Sequence, residues 1–177
     1  MTTHVMHDLE TLSTQPDSVI VSIGAVVIRD LELADQFHVV LDLHQPDRHI
    51  CVDTVQWWMG QSDTARAVFR PASRKSLYEG LKAYQTFIDL AKLQEHRTSR
   101  VWGNGADFDN VILADAFHQL QLTLPWPYWR NGCFRTLKAI APQVPAPAFE
   151  GTKHDALNDA IHQAKHLIEI LKYLDQK

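Results

Sequence analysis

The stretch VIVSIGAVVI, residues 19–28, is the longest apolar run in the chain and limits the choice of fold. It contains Ser22 and Gly24, and it falls far short of the roughly 20 residues that a membrane-spanning helix needs. The run therefore predicts a strand buried inside a protein core.

Strands are also predicted on either side of this run. The preceding segment HVMHDLE, residues 4–10, alternates its side chains between two faces, as a strand does. The following segment QFHVVLDL, residues 36–43, has the composition of a third strand. Because turn residues separate these segments, the three together predict an antiparallel meander.

Helical patterns dominate the rest of the chain. They cover residues 53–69, 76–94, about 107–120, 133–141 and 156–174. A short strand is predicted at residues 100–102, whereas residues 126–129, between prolines, are left unassigned. Strands followed by alternating helices and strands predict an α/β fold in which helices cover a mixed sheet.

Length and composition indicate one globular domain. The chain has 177 residues, 45% of them hydrophobic, so we expect a single domain over residues 1–177. The N-terminal sequence MTTHVMHDLET has no basic leader followed by an apolar stretch. Cys51 and Cys133 are too few for a disulfide framework and have no metal-binding spacing. We therefore expect a reduced, cytoplasmic protein.

The formal net charge of −4 argues against nucleic-acid binding through a broad basic surface alone. It does not exclude a protein that meets phosphate through metal ions. Two basic stretches are candidates for contact with a phosphate backbone, although scattered charges of this density are more often a solvated face. The residues are Arg66, Arg70, Arg74 and Lys75 in the first stretch, and Arg130, Arg135 and Lys138 in the second.

The first strand carries a pair of acids. Asp8 and Glu10 are two residues apart, so their carboxylates project from the same face. Like charges this close raise one another's pKa unless a cation lies between them. The alternative is that the pair ends an edge strand and simply meets water.

A second acidic cluster lies in VWGNGADFDNVIL, residues 101–113, where a strand ends and a helix begins. Asp107 fits the N-cap of that helix, because its side chain can accept from the first free N–H groups. Asp109 then lies in the first helical turn and can point toward the strand ends. The alternative role for both acids is capping and interaction with the helix dipole.

A third cluster opens the last helix, in GTKHDALNDAIHQAKHL, residues 151–167. Asp155 fits the N-cap, which leaves His154 outside the helix. Asp159 lies four residues further on the same face, where two like charges are slightly unfavourable. Capping therefore explains Asp155 but neither His154 nor Asp159.

Together the three clusters fit a metal-dependent chemistry. Mg²⁺ prefers oxygen ligands and is held by a few carboxylates and by substrate phosphate. Asp8, Glu10, Asp109 and Asp159 could hold two such ions, an arrangement used in phosphodiester cleavage. His154 could supply the base.

The same residues carry a resemblance to a known family. The motif DLET at residues 8–11, then Asn104 through Phe108 and Asp109, and then His154 followed by Asp159 resemble the DEDDh exonucleases of the DnaQ-like superfamily, which have a ribonuclease H-like fold. The tracts WGNGADFDN, DTVQWWMGQSDTAR and HDALNDAIHQA are similar to a branch that includes phage exonuclease A and mycobacterial-type 3′-5′ exoribonucleases. The resemblance covers nearly the whole chain.

This resemblance implies an activity and a set of roles. Asp8, Glu10, Asp109 and Asp159 would bind two Mg²⁺ or Mn²⁺ ions, and His154 would deprotonate the attacking water. Nucleoside 5′-monophosphates would leave one by one from the 3′ end of RNA or DNA, with a slight preference for RNA. The family precedent also fits a homodimer. Contacts to the substrate would come from Thr11, Leu12, Asn104, Trp57 and Trp58.

Three alternatives stay open at this point. An extra residue between Asn104 and Asp109, relative to the proofreading-subunit pattern, leaves Asp107 as a substitute for Asp109. The pair His154-Asp155 could instead be the dyad of helical metal phosphohydrolases, although the strand-rich first half does not fit that fold. A non-catalytic nucleic-acid-binding module should lack one of the five site residues, and here all five are present.

Overall fold

The computed structural model describes residues 2–70, 73–95 and 97–176. A five-stranded sheet has the order β3-β2-β1-β4-β5. Its strands are β1 (Thr3–Thr11), β2 (Ile20–Arg29), β3 (Glu32–Val40), β4 (Arg100–Gly103) and β5 (Asn131–Cys133). The helices are α1 (Val52–Met59), α2 (Asp63–Arg66), α3 (Leu77–Leu90), α4 (Asp109–Gln119), α5 (Phe134–Ile140) and α6 (Ala156–Asp175). Within the described residues, no helix combines the length and the apolar character needed to cross a bilayer.

The sheet is mixed, as predicted. The strands β1, β2 and β3 form the antiparallel meander, whereas β4 runs parallel to β1 and β5 runs parallel to β4. Because β1 lies in the middle of the sheet, Asp8 and Glu10 do not end an edge strand. A mixed sheet also excludes the all-helical phosphohydrolase fold.

Three features of the secondary structure differ from the prediction, each for a local reason. The strand predicted at residues 36–43 begins at Glu32, because Asp30 and Leu31 have positive φ angles of 48° and 63° and make a tight two-residue turn after β2. The helix predicted at 53–69 breaks after α1, where Gly60 ends one helix and Ser62 caps the next. The short strand β5 was not predicted, since its three residues carry too little pattern.

Helices cover both faces of the sheet. Side chains of β1 such as Val5 and Leu9 pack in one apolar cluster with α3 and α4. Met6 points the other way and packs with α5 and α6 in a second cluster. Asp8 and Glu10 follow Met6 at a spacing of two residues and therefore lie on the same face of the sheet. Both point toward the start of α6.

A buried polar chain fixes the start of α4 against β1. The Asn110 side-chain amide donates to the Val101 carbonyl, so its oxygen is the acceptor and the His7 Nε2–H donates to it at 3.2 Å. The other His7 nitrogen then accepts from the Tyr84 hydroxyl at 2.7 Å. Burial lowers the pKa of His7 to about 4, which keeps the ring neutral and able to bridge the two partners.

Gly24 lets α6 approach the sheet. It is the β2 residue paired with Asp8, and a Cβ at this position would lie 2.2 Å from the backbone carbonyl atoms of Ala156. No side chain can occupy that space, so the first turn of α6 lies directly on the strands. Gly24 therefore determines the height of the helix start above Asp8.

Substitution of Gly24 by alanine should lower the free energy of unfolding. The new methyl group would meet backbone atoms that no rotamer change can move. We therefore expect the free energy of unfolding to fall by at least about 1–3 kcal/mol. Denaturant unfolding measures it. Gly60→Ala is the matched control, because its Cβ would come no closer than 3.4 Å to a neighbouring atom. Equal stability of the two variants would contradict the role assigned to Gly24.

Candidate active site

A cleft opens at the carboxyl end of β1, where the sheet meets the first turn of α6. Residues from β1, from α1 and from the turns before α4 and α6 form its wall. They are Asp8, Leu9, Glu10, Thr11, Thr14, Cys51, Asp53, Thr54, Trp57, Trp58, Asn104, Phe108, His154, Asp159 and Gln163. Four separate stretches of sequence thus meet in one concave surface.

The pair on β1 forms the floor of the cleft. Asp8 is half-buried and accepts a hydrogen bond from the Gln163 side-chain amide at 2.8 Å. Glu10 is only 7% exposed. Both side chains are therefore more enclosed than those of an acidic pair at the exposed end of an edge strand.

Asp109, not Asp107, joins this pair. Asp109 is buried, and its carboxylate accepts from the Leu9 backbone N–H at 3.2 Å and from backbone N–H groups of the turn before α4. Asp107 is exposed and does not cap the helix, since α4 begins at Asp109 with Phe108 in the N-cap position. The predicted cap is wrong because the Asp109 carboxylate itself takes the turn's free N–H groups.

His154 and Asp159 are held together at the start of α6. Asp155 is the N-cap, as predicted, and accepts from the Asn158 N–H at 3.0 Å. His154 precedes it with a positive φ of 62°, and its backbone N–H donates to the Asp159 carboxylate at 2.7 Å. Possible ligand atoms of Glu10, His154 and Asp159 all lie within 4.8 Å of one another.

Burial raises the pKa of every carboxyl group in the cluster, and repulsion from the other acids adds to it for Asp8 and Glu10. Burial is the largest cause for Glu10, whose pKa rises to about 8, followed by the charges of Asp159, Asp155 and Asp109. Burial also raises the pKa of Asp109 to about 7, and that of Asp8 well above its usual value. The pKa of Asp159 is raised for the same reason.

The protein itself supplies little positive charge to this cluster. Among the described residues, no arginine or lysine forms an ion pair with Asp8, Glu10, Asp109 or Asp159. Four oxygen-bearing groups that repel one another in a partly buried space suit a hard divalent cation. The residues present therefore fit the metal site that the sequence predicted.

The predicted substrate contacts divide into two groups. Thr11, Asn104 and Trp57 line the cleft, and the Trp57 ring is 45% exposed. Trp58 is buried at 3% exposure and donates its indole N–H to the Thr11 carbonyl at 2.9 Å. Leu12 packs beside Trp58 in an apolar cluster and does not belong to the cleft wall. Trp58 also lines the cleft, but its burial leaves Trp57 with the more accessible ring.

Trp57 also contacts the predicted base. Its ring meets the His154 imidazole edge to face, with centroids 4.8 Å apart. This packing limits the rotation of the imidazole. His154 lies outside α6, as the sequence indicated, but both its backbone and its ring have partners.

Gln163 lines the site but was not predicted from the sequence. It lies four residues after Asp159, on the same face of α6, and this spacing was the available signal. Its amide N–H groups face Asp8, whereas its side-chain oxygen is buried without a hydrogen-bond partner in the described part of the chain. An unsatisfied buried acceptor costs about 1–3 kcal/mol. The side chain thus keeps its donor on Asp8 at a cost in stability.

Solved structures share this fold. The nuclease domain of 3′hExo, a DEDDh family member bound to rAMP, has a TM-score of 0.63 at 16% identity, over 97% of this chain and 92% of that one. Exonuclease I of E. coli, in complex with a dT13 oligonucleotide, has a TM-score of 0.67 at 12% identity, over 99% of this chain and 43% of that one. At these identities the likeness concerns the fold, and it confirms the predicted ribonuclease H-like architecture.

Sequence comparisons identify the family. The exodeoxyribonuclease of Enterobacteria phage T4 is 24% identical over 139 residues, which cover 68% of this chain and 61% of the phage protein. The chain thus matches less than two thirds of that relative's length. The model of the 3′-5′ exoribonuclease Rv2179c-like domain matches residues 3–171. Since this match covers nearly the whole sequence, the chain belongs to the Rv2179c-like family of 3′-5′ exoribonuclease domains.

Proposed function

We propose that residues 1–177 form one exonuclease domain that hydrolyses the terminal phosphodiester bond at the 3′ end of a nucleic acid and releases a nucleoside 5′-monophosphate. The observation that carries this proposal is that Asp8, Glu10, His154 and Asp159 line one cleft, and that Asp109 is buried beside them with its carboxylate bonded to the Leu9 N–H. These residues come from three distant parts of the sequence. The family match supports the same reaction.

The four carboxylates would hold two Mg²⁺ or Mn²⁺ ions. When bound, such ions stabilise the charge on the attacking and leaving oxygens and lower the pKa of bound water. The chain contributes a rigid ligand set, since Asp8 and Glu10 lie on a central strand and Asp109 and Asp159 lie in the first turns of helices. Rigid elements hold ligands more precisely than loops do.

His154 is the proposed proton acceptor for the attacking water. Its ring lies beside Glu10 and Asp159, and Trp57 packs against it. The exposed part of the Trp57 ring offers a stacking surface for a base. The Thr11 backbone, which Trp58 fixes through its carbonyl, would lie beside the terminal nucleotide.

The preferred sugar is part of the proposal. The family description favours RNA, whereas the solved neighbours include one protein bound to rAMP and another bound to a dT13 oligonucleotide. We therefore propose activity on both polymers with a slight preference for RNA. The homodimer that the resemblance implies stays a prediction.

Wild-type protein should shorten matched single-stranded RNA and DNA oligomers from the 3′ end when Mg²⁺ or Mn²⁺ is present. With a label at the 5′ end, the products form a ladder, which EDTA should abolish. Asp8→Asn and Asp159→Asn each remove a metal ligand while keeping size and hydrogen bonding, so we expect at least a hundred-fold loss of rate, roughly 3 kcal/mol of transition-state stabilisation.

Asp35→Asn is the matched control for this experiment. Asp35 is an exposed carboxylate on the edge strand β3 that pairs with Arg29 at the end of β2, so its loss should leave the ladder unchanged. Retained hydrolysis in a folded Asp8→Asn protein would overturn the proposed mechanism. Binding without any ladder in the wild type would favour a non-catalytic nucleic-acid-binding module.

Without divalent metal, the protein should become less stable as the pH rises from 6.5 to 8. Glu10 and Asp109 have folded-state pKa values of about 8 and about 7, so in this range the folded state binds more protons than the unfolded state and loses that advantage as the pH rises. The pKa values of His4 and His7 are lowered to about 4, so these two residues make the stability rise with pH. They do so only below 6.5, the ordinary pKa of histidine, and therefore outside this range.

Thermal unfolding in EDTA across this pH range measures the effect. Added Mg²⁺ should remove most of the decline, because a cation favours the ionised carboxylates. Glu10→Gln should reduce the decline in EDTA, since it removes a carboxyl group whose pKa of about 8 lies in this range. A melting temperature that is constant from pH 6.5 to 8 in EDTA would contradict the electrostatic account of the site.

Gln163→Met should weaken metal binding without weakening the metal-free fold. Methionine fills a similar volume but leaves Asp8 without its donor, and loss of a group that orients a metal ligand typically costs about 10–100-fold in affinity. Calorimetric titration with Mn²⁺ measures the affinity, and unfolding in EDTA measures the fold. Lys172→Met is the control on an exposed face of α6. Unchanged Mn²⁺ affinity would reduce Gln163 to a packing residue.

A further inference from the structure

We infer that Arg135 and Lys138 form a subsite for the phosphate groups of a bound strand on the 5′ side of the nucleotide that is released. This inference rests on the proposed exonuclease function and adds the path that the rest of the substrate follows out of the cleft. No catalytic role belongs to these two residues.

Both cations are tied to the cleft through one residue. The Arg135 backbone N–H donates to the Asn104 carbonyl at 2.8 Å, and the Lys138 ammonium donates to the Asn104 side-chain oxygen at 3.0 Å. Asn104 itself lines the cleft, directly after β4. The Lys138 ammonium therefore lies beside Asn104, and the Arg135 guanidinium lies beside the next residue, 3.6 Å from the position that a Cβ on Gly105 would take.

Neither charge is neutralised by the protein. The ion pairs of the described residues involve other arginines and lysines, and none joins Arg135 or Lys138 to a carboxylate within 4.0 Å. Asp107 comes from the neighbouring turn, yet it forms no such pair with either. In a chain with net charge −4, two adjacent cations without an acidic partner leave room for an anion from outside.

The surroundings of Lys138 disfavour its charged form on balance, although two contacts stabilise the ammonium. Its side chain is half-buried over the Phe134 ring, with the ammonium 4.8 Å from the ring centroid. Burial first, and then the positive charge of Arg135, lower the pKa of Lys138. A phosphate placed between the two groups would offset both effects.

The other walls offer no comparable site. The charged groups among the lining residues are carboxylates, including Asp53 on α1, and no arginine or lysine is one of the described lining residues. These acidic walls repel the negatively charged backbone of a strand that passes out of the cleft. The side of Asn104 is therefore the electrostatically favoured exit for the strand.

Substrates of different length separate this subsite from the chemistry. A dinucleoside monophosphate has only the phosphate that is cleaved, whereas a decanucleotide of the same sugar adds eight on the 5′ side. Arg135→Gln and the double variant Arg135→Gln, Lys138→Gln should raise KM for the decanucleotide about ten-fold relative to KM for the dinucleotide. The plot of log KM against log salt concentration should lose about 0.7 in slope for each cation removed.

Arg135→Gln is the cleanest single variant, because Arg135 holds Asn104 through its backbone N–H and not through its side chain. Lys138→Arg keeps the charge and should restore most of the affinity that Lys138→Gln loses. Lys172→Gln, which removes an exposed lysine from α6, should change neither KM nor the salt slope. The thermal unfolding of each variant is measured alongside.

The failures of the two proposals are distinguishable. If wild type and double variant cleave both substrates with the same KM ratio and the same salt slope, the subsite is wrong and the exonuclease stands. If the wild type cleaves neither substrate, the proposed function is wrong. Anisotropy of the labelled decanucleotide then tests the subsite directly, and an unchanged salt slope of binding in the double variant would overturn it.

Discussion

The contact between the first turn of α6 and Gly24 determines the geometry of the whole site. The helix carries His154 and Asp159 at its start, and the strand opposite Gly24 carries Asp8. A side chain at position 24 would have to lie 2.2 Å from backbone atoms of Ala156. The absence of a side chain at Gly24 thus lets the start of α6 bring His154 and Asp159 close to Asp8.

That close approach has an electrostatic cost, which the fold offsets only in part. Backbone N–H groups reach Asp109 and Asp159, and the Gln163 amide reaches Asp8. These neutral donors orient the carboxylates without cancelling their charge, so burial still raises their pKa values. If the fold had placed a lysine or arginine in the cluster, the acids would form a stable ion pair and lose their affinity for a divalent cation. Neutral donors keep the carboxylates in position and leave their charge for the proposed metal ions.

Local rules predicted the parts of the site that depend on one element alone. The two-residue periodicity of β1 placed Asp8 and Glu10 on one face, and N-cap chemistry placed Asp155 at the start of α6. The sequence could not show that β1 lies in the middle of the sheet, since this depends on pairing with β4, about a hundred residues away. Asp107 was mistaken for a cap because the competing acceptor, Asp109, takes the free N–H groups of the turn and is held there by the Leu9 N–H of β1.

The spacing between His154 and Asp159 has a physical reason that capping alone does not provide. With Asp155 as N-cap, His154 must leave the helix, and its positive φ turns its backbone N–H onto the Asp159 carboxylate one turn further on. The same carboxylate lies beside Glu10, so the backbone of the proposed base is linked to the proposed metal ligands by one hydrogen bond. The Trp57 ring packs against the imidazole, so the ring and the backbone of the proposed base are both held at the start of α6. Because His154 and Asp159 share this helix start, the proposed base keeps its position relative to Asp159, whereas its position relative to Asp8 and Glu10 depends on the contact of α6 with Gly24.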